Sequence, residues 1–221
     1  MPGGFDLDTA LKNAGSHLDT GAIAHLSLYL DLLVQWNRKT NLVGPRDAQT
    51  IFDTLIVDSL RLGPFLESLD LPTTPLCLDL GAGAGLPGIP LRCLWTRGEY
   101  HLVEVREKRC VFMRLAVGRM GLERTHVFQG RAEDALARIA TARDQERQAD
   151  LVLSRAFMPW AELLPFVRPM LALQGRVVVL ANEPLPFALP AGWKEESCTS
   201  YRVQSEDRSG ERWFWALRRV E

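Results

Sequence analysis

The stretch LCLDLGAGAGLPGIPL, from Leu76 to Leu91, decides how the rest of this chain is read. Its first five residues are a short apolar run broken only by Asp79, the pattern of a strand buried on both faces. Gly81, Gly83 and Gly85 follow at alternate positions, with Gly88 close behind. Glycine admits positive φ and lets a ligand approach the bare backbone. A tight strand-to-helix connection needs one such residue, so three in alternation point to a ligand. In an open parallel sheet, that ligand sits beyond the carboxyl ends of the strands.

Outward from this loop the chain alternates. Strands are predicted at 76–80, 100–105, 125–129, 150–154 and 176–180. Helices are predicted from the glycine loop to Arg97, from Glu107 to Met120 with Val111, Phe112 and Leu115 inward and Gly121 as its stop, over 132–143, and, interrupted by Pro165 and Pro169, over 159–173. Such alternation specifies a parallel sheet covered on both faces. Two departures frame it. Residues 1–70 read as helical: one helix over 18–36 capped by Asp19 or Thr20, another from Ala48, capped by Asp47, to Leu62, stopped by Gly63 and Pro64. At the other end, the prolines of 182–192 exclude a regular helix, and CTSYRVQ and RWFWALRRV flank a turn-rich SEDRSGE, a hairpin signal. RDQERQ at 143–148 reads as a solvated loop. The expected fold is α/β: a Rossmann-like seven-stranded sheet closing with an antiparallel hairpin, residues 71–221, preceded by an N-terminal helical extension, residues 1–70, packed on it.

Composition narrows the function classes. With 221 residues, 47% of them apolar, the chain can bury a core without disulfides or a metal. A net charge of −1 excludes a global basic footprint and leaves room only for a local basic face. Cys77, Cys93, Cys110 and Cys198 contain no CxxC pair, and His17, His25, His101 and His126 are scattered, so no metal is expected and the cysteines read as reduced. The N-terminus MPGGFDLDTA lacks the basic start and apolar core of a signal peptide, and no apolar run approaches a membrane span. A cytoplasmic monomer is the expectation.

Two ligand classes compete for the loop. Gly83, Gly85 and Gly88 satisfy the dinucleotide pattern GxGxxG. Asp79 followed by Gly81, Gly83 and Gly85 instead resembles the S-adenosylmethionine loop of methyltransferases. Three features favour the methyl donor. A carboxylate at Asp79 opposes a pyrophosphate but suits a cationic methionine moiety. Glu104, ending the second strand, can accept ribose hydroxyls in either class. The closing hairpin departs from a six-stranded parallel dinucleotide fold.

Several short motifs then fall into one order: QWNRKTNL at 35–42, VDSL at 57–60, LDLGAGAGLPGIPL, EVREKRCVFM at 104–113, GRAEDA at 130–135 and SRAF at 154–157. This order resembles the glucose-inhibited-division-B family, bacterial methyltransferases of guanine nitrogen 7 in small-subunit (16S) ribosomal RNA. The resemblance implies donor contacts from Gly81 and Leu86 in the loop, from Ala132 and Glu133 after the third strand, and from Arg155 at the end of the fourth. Arg131 and Arg155 are the expected positioning residues, with no general base. Arg155 is expected to hold the donor's carboxylate or an RNA phosphate and to matter more to turnover than to stability. Asn37, Arg38, Lys39 and Asn41 are expected at the substrate, and Trp36, Phe157 or Trp160 as guanine-stacking rings. Arg109 reads as part of a solvated helix face. The sequence departs from the family pattern at Leu55, where a histidine is usual, at Ala181 and Asn182, where Lys-Gly is usual, and at Arg212-Trp213, where Arg-His is usual. A donor-retaining RNA-binding or assembly module, a paralogue with another substrate and a dinucleotide-dependent oxidoreductase are the alternatives. The expected partner is small-subunit RNA or a 30S particle.

Overall fold

The computed structural model of the chain describes residues 5–143, 147–205 and 208–220. Strand β1 (Leu76–Leu80) is buried at every position, as its apolar run requires. It pairs in parallel with β2 (Glu99–Glu104) on one side and β4 (Ala149–Arg155) on the other. Outside these lie β3 (Thr125–Gln129) and β5 (Leu171–Ala181), also parallel. The hairpin of β6 (Trp193–Ser205) and β7 (Arg208–Arg219) closes the sheet, with β7 inserted antiparallel between β5 and β6. The order is β3-β2-β1-β4-β5-β7-β6. A six-stranded dinucleotide sheet is parallel throughout, so the inserted strand separates this fold from that alternative. Residues 144–146 of the expected loop and 206–207 of the expected turn lie outside the described residues.

Side chains alternate across the pleat and feed two cores. Tyr100, Leu102, Leu153 and Phe214 face the N-terminal helices α1 (Leu7–Asn13), α2 (Thr20–Thr40), α3 (Ala48–Ile51) and α4 (Val57–Glu67), with α5 (Gly88–Arg92) and α6 (Glu107–Met120). Leu78, Val103, Val152 and Trp215 face α7 (Ala135–Arg143) and α8 (Trp160–Val167). None of the described helices is long and apolar enough to cross a membrane.

Asp19 and Asp47 cap α2 and α3 through their carboxylates, as expected. Four expectations fail. Gly63 and Pro64 do not stop α4, which runs on to Glu67; a Cβ on Gly63 would lie 2.0 Å from Leu94, so the glycine serves close helix contact. Before α4 the chain winds through a π-helical segment, Phe52–Ile56, that no periodicity announced. The helix after the glycine loop is five residues long and ends at Arg92. On α6, Val111 and Leu115 point outward, and the buried stripe is Cys110, Phe112, Met113, Ala116 and Met120. The four cysteines are free as expected, Cys77 and Cys110 being buried.

Beneath the sheet, at the end away from the glycine loop, Arg92 is 3% exposed and uses all five guanidinium donors. Nε meets Thr125 Oγ1 at 3.0 Å, and the two amino groups reach the carbonyls of Trp95, Arg97, Thr96 and Glu123. One side chain thus closes the turns that lead into β2 and β3. Lysine has three donors, so Arg92→Lys leaves at least two acceptors unpaired, at about 1–3 kcal/mol each. Denaturant unfolding should show a loss of about 2–5 kcal/mol; an unchanged midpoint would contradict this account.

Candidate active site

The alternation in GAGAG has a structural reason. Gly81, Gly83 and Gly85 hold φ of 68°, 61° and 84°, while Ala82 and Ala84 between them are buried. Ala82 N–H donates to the Val103 carbonyl at 3.0 Å, tying the loop to β2, and the Tyr29 hydroxyl of α2 donates to the Ala84 carbonyl at 3.0 Å. A Cβ on Gly81 would lie 2.8 Å from the Phe157 ring, so that ring packs on bare backbone. Leu86 is buried in the same turn.

Beyond the strand ends lies a cleft of ≈ 480 Å³, within the range of small-molecule sites. Gly81 and Glu104 form its floor, Gly130 to Glu133 one wall, and Phe157, Met158 and Phe166 an apolar wall. Ala132 is buried in a short 3-10 turn, and Glu133 and Arg131, both exposed, pair at 3.3 Å. Of the expected donor residues, Gly81, Glu104, Ala132 and Glu133 line this cleft. Met158 and Phe166 were not anticipated; an apolar residue directly after SRAF, or nine positions on, carries no signal of its own.

Glu104 is 5% exposed and accepts four hydrogen bonds. Oε1 takes the N–H groups of Val105 and Arg106, each at 2.9 Å; Oε2 takes Gly83 N–H at 3.1 Å and Arg109 Nη1 at 3.3 Å. A carboxylate has about four acceptor positions, so this one is full. A ribose hydroxyl can bind only where a present donor leaves, and Arg109 is the one on a movable side chain. Arg109 therefore lines the cleft instead of a solvated face.

Gly83, Gly85 and Leu86 do not line the cleft, and three further residues expected at a ligand, Asp79, Arg155 and Asn37, are engaged inside the protein. Asp79 is 1% exposed and does not line the cleft; its Oδ2 accepts from the Tyr100 hydroxyl at 3.1 Å and would lie 2.6 Å from a Cβ on Gly88. Burial pushes its carboxyl up to about 7, against the opposing pull of Tyr100, Arg155 and the Gly88 N–H. Arg155 also lies outside the cleft lining, on the face covered by the N-terminal helices. Its Nη1 meets Asp58 Oδ2 at 3.4 Å and the Leu55 carbonyl of the π segment at 3.5 Å. Asp58, 5% exposed, also accepts from the Tyr201 hydroxyl of β6, over whose ring Arg61 lies at 5.0 Å. Burial raises the Asp58 carboxyl, and Arg155 and Tyr201 oppose that rise. Removing Arg155 would strand a buried carboxylate, so the expectation of a small stability effect is corrected.

Asn37 is the third. Its amide is spent inside the protein, Nδ2 donating to the Pro45 carbonyl at 2.7 Å and Oδ1 accepting from Val43 N–H at 2.9 Å. The substrate reading of Asn37 gives way to a brace for the loop after α2. Asn41 ends α2 in the left-handed region, φ 48°. Arg38 and Lys39 are exposed in the last turn of α2, where they complement its dipole, and neither lines the cleft. Trp36 packs on Phe112 and Trp160 on Trp215, leaving Phe157 as the expected ring that reaches the cleft. Asn182, one of the departures from the family pattern, accepts from Arg212 at 2.5 Å.

Residues 22–186 match the model of a family described as rRNA small subunit methyltransferase G. The chain is 49% identical over 215 residues, 97% of its length and 94% of the relative's, to the ribosomal RNA small subunit methyltransferase G of Nitratidesulfovibrio vulgaris strain DP4. It is 40% identical to that of Lawsonia intracellularis, over 93% of this chain and 91% of the relative. Among solved structures, the precorrin-6y C5,15-methyltransferase of Geobacter metallireducens superposes with a TM-score of 0.51 at 15% identity, covering 72% of this chain and 88% of that one. TrmN of Thermus thermophilus gives 0.52 at 20%, covering 74% and 48%. At these identities the structures speak for the fold alone.

Displacing a partly exposed arginine from Glu104 costs about 0.5–1 kcal/mol. Arg109→Ala is therefore expected to tighten S-adenosylmethionine binding about two- to fivefold, read by calorimetric titration. Weaker binding in the variant would mean that Arg109 holds the ligand and does not compete with it.

Proposed function

The chain belongs to the rRNA small subunit methyltransferase G family, and from that premise we propose that it transfers a methyl group from S-adenosylmethionine to nitrogen 7 of a guanine in small-subunit ribosomal RNA. The observation that carries the reading is the cleft itself: a nucleoside-sized pocket at the strand ends whose described titratable carboxylates, Glu104 and Glu133, are both engaged with other groups. Guanine nitrogen 7 bears no proton and presents an in-plane lone pair, so its alkylation needs alignment and no base. The donor supplies an electrophilic methyl on a sulfonium. Glu104 would take the ribose in place of Arg109, Ala132 and the backbone beside it would border the adenine, and Phe157 and Met158 would keep water from the reacting end. Arg106 and Arg131 line the cleft and would meet RNA phosphates. Arg155, paired with Asp58, serves as a brace beneath the loop in this reading.

Labelled methyl transfer to small-subunit RNA from a strain lacking the gene, presented naked and as the assembled particle, tests the assignment. Label recovered as 7-methylguanosine, and absent when the RNA comes from the wild type, is the expected result; label in another nucleoside would overturn it.

Asp79 adds a pH signature. Its folded pKa is raised, so its contribution to stability is complete below the unfolded value near 3.8 and is lost as pH rises through about 7. Denaturant unfolding should show that contribution fading as pH rises from about 4 to above 7 in the parent and absent in Asp79→Asn. A parent and variant whose midpoints follow the same pH dependence would contradict this account.

A further inference from the structure

His101 and His126 are far apart in the sequence, yet parallel pairing makes them register partners on β2 and β3. Their rings lie 4.9 Å apart. Glu99, two residues before His101, shares the same sheet face. Its Oε1 is 2.7 Å from His101 Nε2 and 3.6 Å from His126 Nε2. All three ligand atoms fall within 4.8 Å of one another. Two residues at i and i+2 on one strand, with the residue opposite on its neighbour, converge on one point without any loop to adjust.

We propose that Glu99, His101 and His126 form a divalent transition-metal site, with zinc as its fitting occupant. Zinc binds imidazole nitrogen and carboxylate oxygen at about 2.0–2.2 Å, which sets tetrahedral ligand atoms about 3.4 Å apart. The spacing here needs an opening of under about 1 Å between Glu99 and His101; His126 already stands 3.6 Å from Glu99, and its separation from the His101 nitrogen, within 4.8 Å, would settle toward the same value. Two imidazoles disfavour calcium and magnesium, which take oxygen ligands. The Glu99 and His101 side chains are 12% and 7% exposed, whereas His126 is 46% exposed. The fourth position accordingly opens toward solvent on the His126 side and takes a water molecule. Glu99 pairs in register with Leu76 at the start of β1, and five strand residues, about 16 Å, separate it from Glu104. The ion would stand apart from the transfer site. It would staple the edge strand β3 to β2, and β3 leads directly into the Gly130–Glu133 wall.

The test is a calorimetric titration of the chelator-stripped full chain with zinc alone, near neutral pH, on the parent and on His126→Ala. The half-exposed ring of His126 makes that variant the one that keeps the fold, which circular dichroism checks. The expected result is one zinc per parent chain, affinity reduced at least ~10-fold in the variant, and a melting temperature that rises with zinc in the parent only. A parent that binds no zinc leaves Glu99 and His101 as a plain hydrogen-bonded pair and overturns the proposal. Equal affinity in the variant overturns it too, placing the ion on one of the free cysteines.

Discussion

The site is organised around one carboxylate. Glu104 stands where β2 ends, and through its two oxygens it gathers the N–H groups of Gly83, Val105 and Arg106. Those groups belong to two separate loops, one leaving β1 and one entering α6. Each N–H would otherwise have to find water or go unpaired at a partly buried strand end. The glycine loop can hold its left-handed turns because this acceptor pins Gly83 and the Val103 carbonyl pins Ala82. A residue read from the sequence as a ligand for ribose is thus first a structural acceptor, and its availability to a ligand depends on what Arg109 does.

The sheet was legible because its signal is local. Buried strands announce themselves as apolar runs, and the boundaries of β1, β3 and α6 fall where the runs and the Gly121 stop place them. The hairpin was legible from its turn-rich centre. What failed was anything set by a partner remote in sequence. Gly63 reads as a helix stop until Leu94 is seen against it. Val111 and Leu115 read as core until the packing surface of α6 is known, and the π segment has no periodicity to read.

The same division runs through the site. Backbone-built parts, the glycine loop and the turn at Ala132, were legible because glycine and strand ends constrain them directly. Side-chain roles were not. Asn37 and Arg155 are polar residues in a family motif, and a ligand contact and an internal hydrogen bond look alike in one dimension. Asn37 spends its amide on Pro45 and Val43, and Arg155 spends a charge on Asp58. Arg92 went unnoticed for the opposite reason: no pattern marks an arginine whose acceptors are mostly backbone carbonyls.

The contact of Asp58 with Tyr201 spans most of the chain, from the helical extension to the closing hairpin. Phe65 and Phe214, 5.5 Å apart, repeat that span beside it. Such pairings carry a large loop-closure entropy and come late in folding. On the ribosome, α4 emerges well before the strand that completes its surroundings. A nascent chain that has made the glycine loop, β2 and β4 still holds Asp58 without its hydroxyl donor and Arg155 on an unfinished brace. The order of synthesis therefore sets the order of competence: the floor of the cleft can assemble early, but its support from below is sealed only once β6 and β7 have been made.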